Sequence, residues 1–143
     1  MTTAIKPATT FWIIGVLALL WNLMGVSAYV MQIMMTPEAI QALPENEQAL
    51  YTNIPMWATM AFAIAVFGGA LASVLLLMRK KLATTIFMIS FVGIVVQMIH
   101  SFFISNSIEV YGPGGMVMPV MIIVIGAYLI WYSKSASDRG WIN

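Results

Sequence analysis

The sequence predicts an all-α integral membrane protein, a four-helix bundle with both termini on the cytoplasmic side. Three observations carry that expectation. Hydrophobic residues make up 62% of the 143-residue chain and charged residues only 8%, against about half and about a quarter in an average soluble domain. The apolar residues gather in four long blocks, at about 11–35, 55–78, 82–104 and 116–132, and none of these contains Asp, Glu, Lys or Arg. A globule this small cannot hide four such blocks, so lipid covers them, in keeping with a mean hydropathy of +0.95. Finally, all 6 Lys and Arg fall in segments that four spans bring to one side.

The spans form a single transmembrane domain over residues 1–143. Roughly 20 apolar residues at 1.5 Å rise cross a hydrocarbon core of about 30 Å, so each of the first three blocks reaches across with some tilt. Lys6 followed by an apolar run imitates a secretory signal. The run, however, continues well past Met24 and lacks a clear small-residue cleavage site, which marks an uncleaved first span. In the loop 36–54, Thr36-Pro37-Glu38 sets a capping hydroxyl before a first-turn proline and an acid, and Pro44-Glu45 repeats part of that helix-start pattern. The loop is either a solvated connector with two helical turns or a lid lying on the membrane face. Arg79-Lys80-Lys81 leaves room only for a tight turn, making the second and third spans antiparallel neighbours. The fourth span is the shortest; its start is blurred by Gly112-Pro113-Gly114-Gly115, and Pro119 suits a first helical turn. Uninterrupted apolar runs exclude a barrel, whose strands would alternate and be about half as long.

Orientation follows from the bases, because Lys and Arg near span ends favour the cytoplasmic side. Lys6 precedes the first span, Arg79, Lys80 and Lys81 join the second to the third, and Lys134 and Arg139 follow the fourth. Glu38, Glu45, Glu47 and Glu109 occupy the opposite loops, with only Asp138 on the basic side. Trp12, Trp131 and Tyr132 at one boundary, and Tyr51, Trp57 and Tyr111 at the other, fit aromatic belts at the headgroups.

Stripes of small and polar residues run along three spans. In the first, Gly15, Ala18, Asn22, Gly25, Tyr29 and Gln32 recur at spacings of three and four, hence on one helix face. The third repeats the pattern in Ser90, Gly93, Gln97 and His100. In lipid, small residues permit close backbone approach and polar side chains seek partners, so these stripes are expected to face inward and toward each other. Ala61, Ala65, Gly69 and Ser73 recur every fourth residue in the second span, a helix-packing seam within the bundle or a dimer seam with another copy.

From these stripes come the candidate binding residues Trp21, Asn22, Tyr29, Gln32, Gln97 and His100. His100 is the only ionisable side chain between the membrane boundaries. It could exchange a proton or hold a substrate hydroxyl; alternatively it is a neutral imidazole hydrogen-bonded to Gln97, Asn22 or Tyr29 that fixes helix register. Trp21 and Asn22 combine an apolar ring with an amide at mid-span, which either lines a pocket or makes an inter-helix contact.

Other chemistry finds little in the chain. It has no Cys, which removes disulfides, thiolate metal sites and cysteine nucleophiles. One His without a nearby acid or Cys cannot complete a usual metal set, and the 13 Met are scattered without His or Cys companions. No catalytic residues, metal or cofactor are assigned, and the chain is not expected to be an enzyme. A net charge of +1 gives no footprint for nucleic acid.

The four spans, the short basic turn and the stretches Trp21-Asn22-Leu23-Met24-Gly25-Val26 and Tyr29-Val30-Met31-Gln32 resemble small four-span bacterial membrane proteins labelled as sugar transporters, whose architecture is similar to the DoxX-like families. The resemblance implies a bacterial inner-membrane location and favours transport, but assigns no residue a role. Two classes of function are therefore expected. One is transport or binding of a small molecule along the polar stripe, with a second copy completing a path for anything as large as a sugar. The other is an accessory or assembly subunit that binds another membrane protein. The lipid bilayer is a partner in both.

Overall fold

The computed structural model describes residues 6–52, 54–104 and 117–143. Among them four helices are long and apolar enough to cross a membrane: α1 (Thr9–Ile33), α4 (Met56–Leu77), α5 (Leu82–Ile99) and α6 (Val117–Asp138). A π-helical turn, His100–Ile104, extends α5. Between α1 and α4 lie the short helices α2 (Pro37–Gln41) and α3 (Glu45–Tyr51). The Thr36 hydroxyl accepts from the Ala39 amide at 3.2 Å to start α2, and the Gln48 side chain donates to the carbonyls of Leu43 (2.9 Å) and Gln41 (3.3 Å) to tie α3 back to it. The expected turn at 112–115, Glu109, Tyr111 and the expected start of the fourth span at Met116 lie outside the described residues.

The helices pack in the order α1, α4, α5, α6. Many large apolar side chains remain on the outside, Leu17, Met24, Ile64 and Val92 among them. Lipid is as good a solvent for those side chains as a neighbouring helix is, so close packing rather than hydrophobic burial must hold the bundle together. α4 supplies it. Ala58, Ala61, Ala65, Gly69, Ala72 and Ser73 are all buried on this helix, and they let α1 approach on one side and α5 on the other. At Gly93 of α5 an added methyl would stand 2.8 Å from the Ala61 carbonyl oxygen and 2.9 Å from the Ala65 nitrogen, so only glycine permits this crossing. One turn earlier the Ser90 hydroxyl donates to the Ala65 carbonyl at 2.5 Å.

The stripes of the first and third spans face each other, as expected, only around the spaces lined by Asn22, Ser90 and Gln97; elsewhere each packs on α4. The α1 stripe packs on α4, with Gly15 against Leu77, Gly25 against Val66 and Asn22 against Gly69. The α5 stripe packs on α4 as well, through Ser90 and Gly93. Because α4 is the helix with small residues on both sides, it lies between the other two. The seam Ala61, Ala65, Gly69 and Ser73 is thereby covered by α5 and α1 of the same chain.

All described bases stand at one end of the bundle. α6 continues six residues beyond the expected boundary at Tyr132 to Asp138, its polar last turns burying Ser133 and Ala136. The chain then reverses at Gly140 (φ 76°), and residues 141–143 fold onto the 79–81 turn. The Lys81 amide donates to the Asn143 carbonyl (2.7 Å), the Asn143 amide to the Arg79 carbonyl (3.0 Å), and Arg79 Nε to the Trp141 carbonyl (2.8 Å). These bonds hold Arg79 at φ 61°, a left-handed conformation that costs a side-chain-bearing residue about 1–2 kcal/mol. Ile142 is 2% exposed and Phe11 fully buried; the Phe11 ring lies 6.0 Å from Trp141 and 6.5 Å from Tyr132, closing α1 onto the end of α6.

Candidate functional site

At the other half of the bundle α1 and α6 share few contacts, and a cavity of about 290 Å³ opens between the helices. Its floor is Asn22, held by α4. The Ser73 hydroxyl donates to the Gly69 carbonyl at 2.8 Å; Asn22 Nδ2 donates to the Ala18 carbonyl at 2.8 Å and to Ser73 Oγ at 3.3 Å. Gly69 has no side chain to collide with Asn22 Oδ1, which occupies the space where a Cβ would stand. The amide nitrogen is thus committed to the helix pair before any ligand arrives.

Trp21 from α1, Phe62 from α4 and Ile94 from α5 form apolar walls, with Met24 of α1 and Met118 and Ile122 of α6 on the outer side. Gln97 of α5 is the other amide side chain among the described lining residues. Unlike Asn22, its amide makes no hydrogen bond with another described residue. Beyond Asn22 the space narrows to about 20 Å³ beside Gly69, Ser90 and Gly126, enough for about one water molecule. Past that point the basic half is filled by Phe11, Leu76, Phe87 and Leu129.

The structure therefore brings together three of the six expected residues, Trp21, Asn22 and Gln97, and leaves three outside the lining. Tyr29 is turned to α4, its ring edge-on to Phe62 (5.4 Å) and Phe67 (5.5 Å); it backs the Phe62 wall from behind. Gln32, near the end of α1, does not line the cavity. His100 sits in the π-helical turn, its ring 5.4 Å from that of Trp57 at an interplanar angle of 84°. An aromatic neighbour takes the place of the expected hydrogen-bond partners Gln97, Asn22 and Tyr29. Of Asn22, Tyr29, Gln97 and His100, expected to line one polar path, Asn22 and Gln97 line this cavity and Tyr29 and His100 do not.

Phe62, Met118 and Ile122 escaped sequence reasoning because apolar residues on an apolar span carry no positional signal. None of the described side chains of the 36–52 loop lines the cavity. No group of three His, Cys, Asp or Glu side chains that could hold a metal exists among the described residues. A second concavity, about 420 Å³ and open to the outside, runs between α4 and α5 under Trp57, Met60 and Val96, with Ala61 and Gly93 among its lining residues. Its lining is almost wholly apolar, so it offers van der Waals contact without polar selection. No known protein family, no curated protein and no solved structure matches the chain.

Proposed function

We propose that this chain is a multi-pass protein of a bacterial inner membrane, both termini cytoplasmic, that binds a small molecule in the cavity between α1, α4, α5 and α6. The observation that carries the reading is Gln97, an amide set in an apolar cavity of about 290 Å³ with no hydrogen bond to another described residue. A polar group withdrawn from water is costly unless it gains a partner, and a concave apolar site with a few polar groups is the usual form of a ligand pocket. The cavity's lining supports the binding, the basic residues support the orientation, and the bacterial inner membrane is what the resemblance to sugar transporter-like families implies.

Binding is favoured over a standing transport path because Phe11, Leu76, Phe87 and Leu129 pack the basic half below the cavity. Transport would require these helices to part. The accessory reading draws on a different feature, the open apolar groove between α4 and α5, which suits the flank of another membrane helix.

The test is thermal stability of the detergent-purified protein across a panel of sugars, amino acids and apolar alcohols, with Gln97→Ala alongside. A ligand that binds only the folded form at 100 times its Kd adds about 2.7 kcal/mol. The proposal expects at least one compound to stabilise the protein, with the effect reduced in Gln97→Ala. If no compound on the panel does so, the binding reading fails and the groove becomes the feature to explain.

A further inference from the structure

Resting on the binding reading above, we infer that the cavity takes a neutral, largely apolar molecule of about a dozen non-hydrogen atoms bearing one hydrogen-bonding group, and that it comes from the bilayer. Size sets the first limit. A cavity of about 150 Å³ accommodates one benzene; at about 290 Å³ this one holds roughly twice as many atoms.

Polarity sets the second. Among the described residues the lining contains no Asp, Glu, Lys, Arg or His, so an ion entering it would find no counter-charge from them. Asn22 spends its Nδ2 on Ala18 and Ser73, and Gln97 is the side chain whose donors and acceptor are uncommitted among the described residues. A sugar would bring several hydroxyls to a site whose described free polar groups are the Gln97 amide, Asn22 Oδ1 and the Trp21 indole N–H, set in otherwise apolar walls, and each hydroxyl left without a partner is penalised. A ring or short chain with a single hydroxyl or carbonyl leaves no polar group of its own unpaired, while its apolar part contacts Trp21, Phe62 and Ile94.

The route follows from what closes the outer wall. Met24 of α1 is 63% exposed and Met118 of α6 is 52% exposed, and both line the cavity. Unbranched thioether side chains rearrange at little cost, and in a membrane their exposed faces meet acyl chains. A molecule already dissolved in the bilayer can pass between them without crossing water.

Three probes separate these claims: 2-naphthol, naphthalene and glucose, measured for saturable binding to the purified full chain in lipid nanodiscs. The inference expects 2-naphthol to bind at one site per chain, naphthalene roughly two- to tenfold more weakly for want of one neutral hydrogen bond, and glucose not at all. In Gln97→Leu the two aromatic probes should bind equally, and retained naphthalene binding there shows that the fold is intact. Ala28→Phe, which puts a ring into the cavity from an exposed position on α1, should remove saturable binding of both. Saturable glucose binding blocked by Ala28→Phe would overturn the ligand class and leave the binding reading standing. An unchanged preference for 2-naphthol in Gln97→Leu would overturn the assigned polar contact. Failure of all three probes, together with a blank stability panel, removes the binding reading itself.

Discussion

Substituting Gly93 by Ala tests the packing that creates the site. The new methyl would lie 2.8 Å from the Ala61 oxygen and 2.9 Å from the Ala65 nitrogen, well inside the ~3.5 Å at which nonbonded atoms rest. Both neighbours are backbone, so no side chain can rotate away and α4 and α5 must separate by roughly half an ångström, a gap that forfeits about a quarter of each contact's attraction. Overpacking of this kind costs about 1–3 kcal/mol, and the stretched Ser90–Ala65 bond adds about 0.6 kcal/mol, the average for hydrogen bonds between membrane helices. Replacing helical Gly by Ala returns up to about 1 kcal/mol. The net expectation is a loss of about 1–2 kcal/mol. Gly126→Ala is the control, because its methyl would meet side chains, the Phe91 ring edge at 3.0 Å and Ile94 Cδ1 at 3.3 Å, which can yield; there the change should stay within about 0.5 kcal/mol. Equilibrium unfolding in mixed detergent micelles reads both. A Gly93→Ala protein as stable as the parent, or a Gly126→Ala protein equally damaged, would refute the close crossing of α4 and α5.

Other parts of the fold make separate predictions. A double-mutant cycle of Asn22→Leu with Ser73→Ala should give a coupling of about 0.6 kcal/mol, and additive effects would mean that the Asn22–Ser73 hydrogen bond contributes nothing. Ile142→Ala empties a site that is 2% exposed, so a loss of about 2–5 kcal/mol is expected; hydrogen exchange at the 79–81 turn should rise with it, and an unaffected turn would show that residues 141–143 do not hold it. In a chain without Cys, a membrane-impermeant thiol reagent on intact cells should label Asn46→Cys and spare Asp138→Cys; the reverse pattern would invert the orientation drawn from the bases.

Much of the architecture was legible in the sequence because two long-range constraints act on it uniformly. Hydrocarbon excludes charge from every span, and the basic residues gather at one end, so the spans and the tight turn at Arg79-Lys80-Lys81 could be read directly. Helix neighbours were harder. Asn22 and Ser90 sit on similar stripes of α1 and α5, and nothing in either stripe says that each finds α4 first. That answer lies in α4, whose small residues accept a helix on both sides. The end of α6 was missed because hydropathy falls after Tyr132 while the helix continues, its last turns packed on the hairpin and the 141–143 segment. At the site, Trp21, Asn22 and Gln97 stood out as polar or oversized residues at depth, and the structure gathers them. His100 stood out more strongly on chemistry alone, yet lies beside Trp57, since being ionisable on the correct helix face does not determine which neighbour it meets.

The central claim is that Gln97 faces a ligand in the cavity, and its side-chain amide signals in ¹⁵N-labelled protein in nanodiscs, assigned by their loss in Gln97→Leu, report on that contact directly. During titration with 2-naphthol the account predicts that these signals shift and saturate together with binding, while the Asn22 amide, already held by Ala18 and Ser73, moves less. Saturable binding that leaves the Gln97 amide unmoved would place the ligand elsewhere and contradict the account.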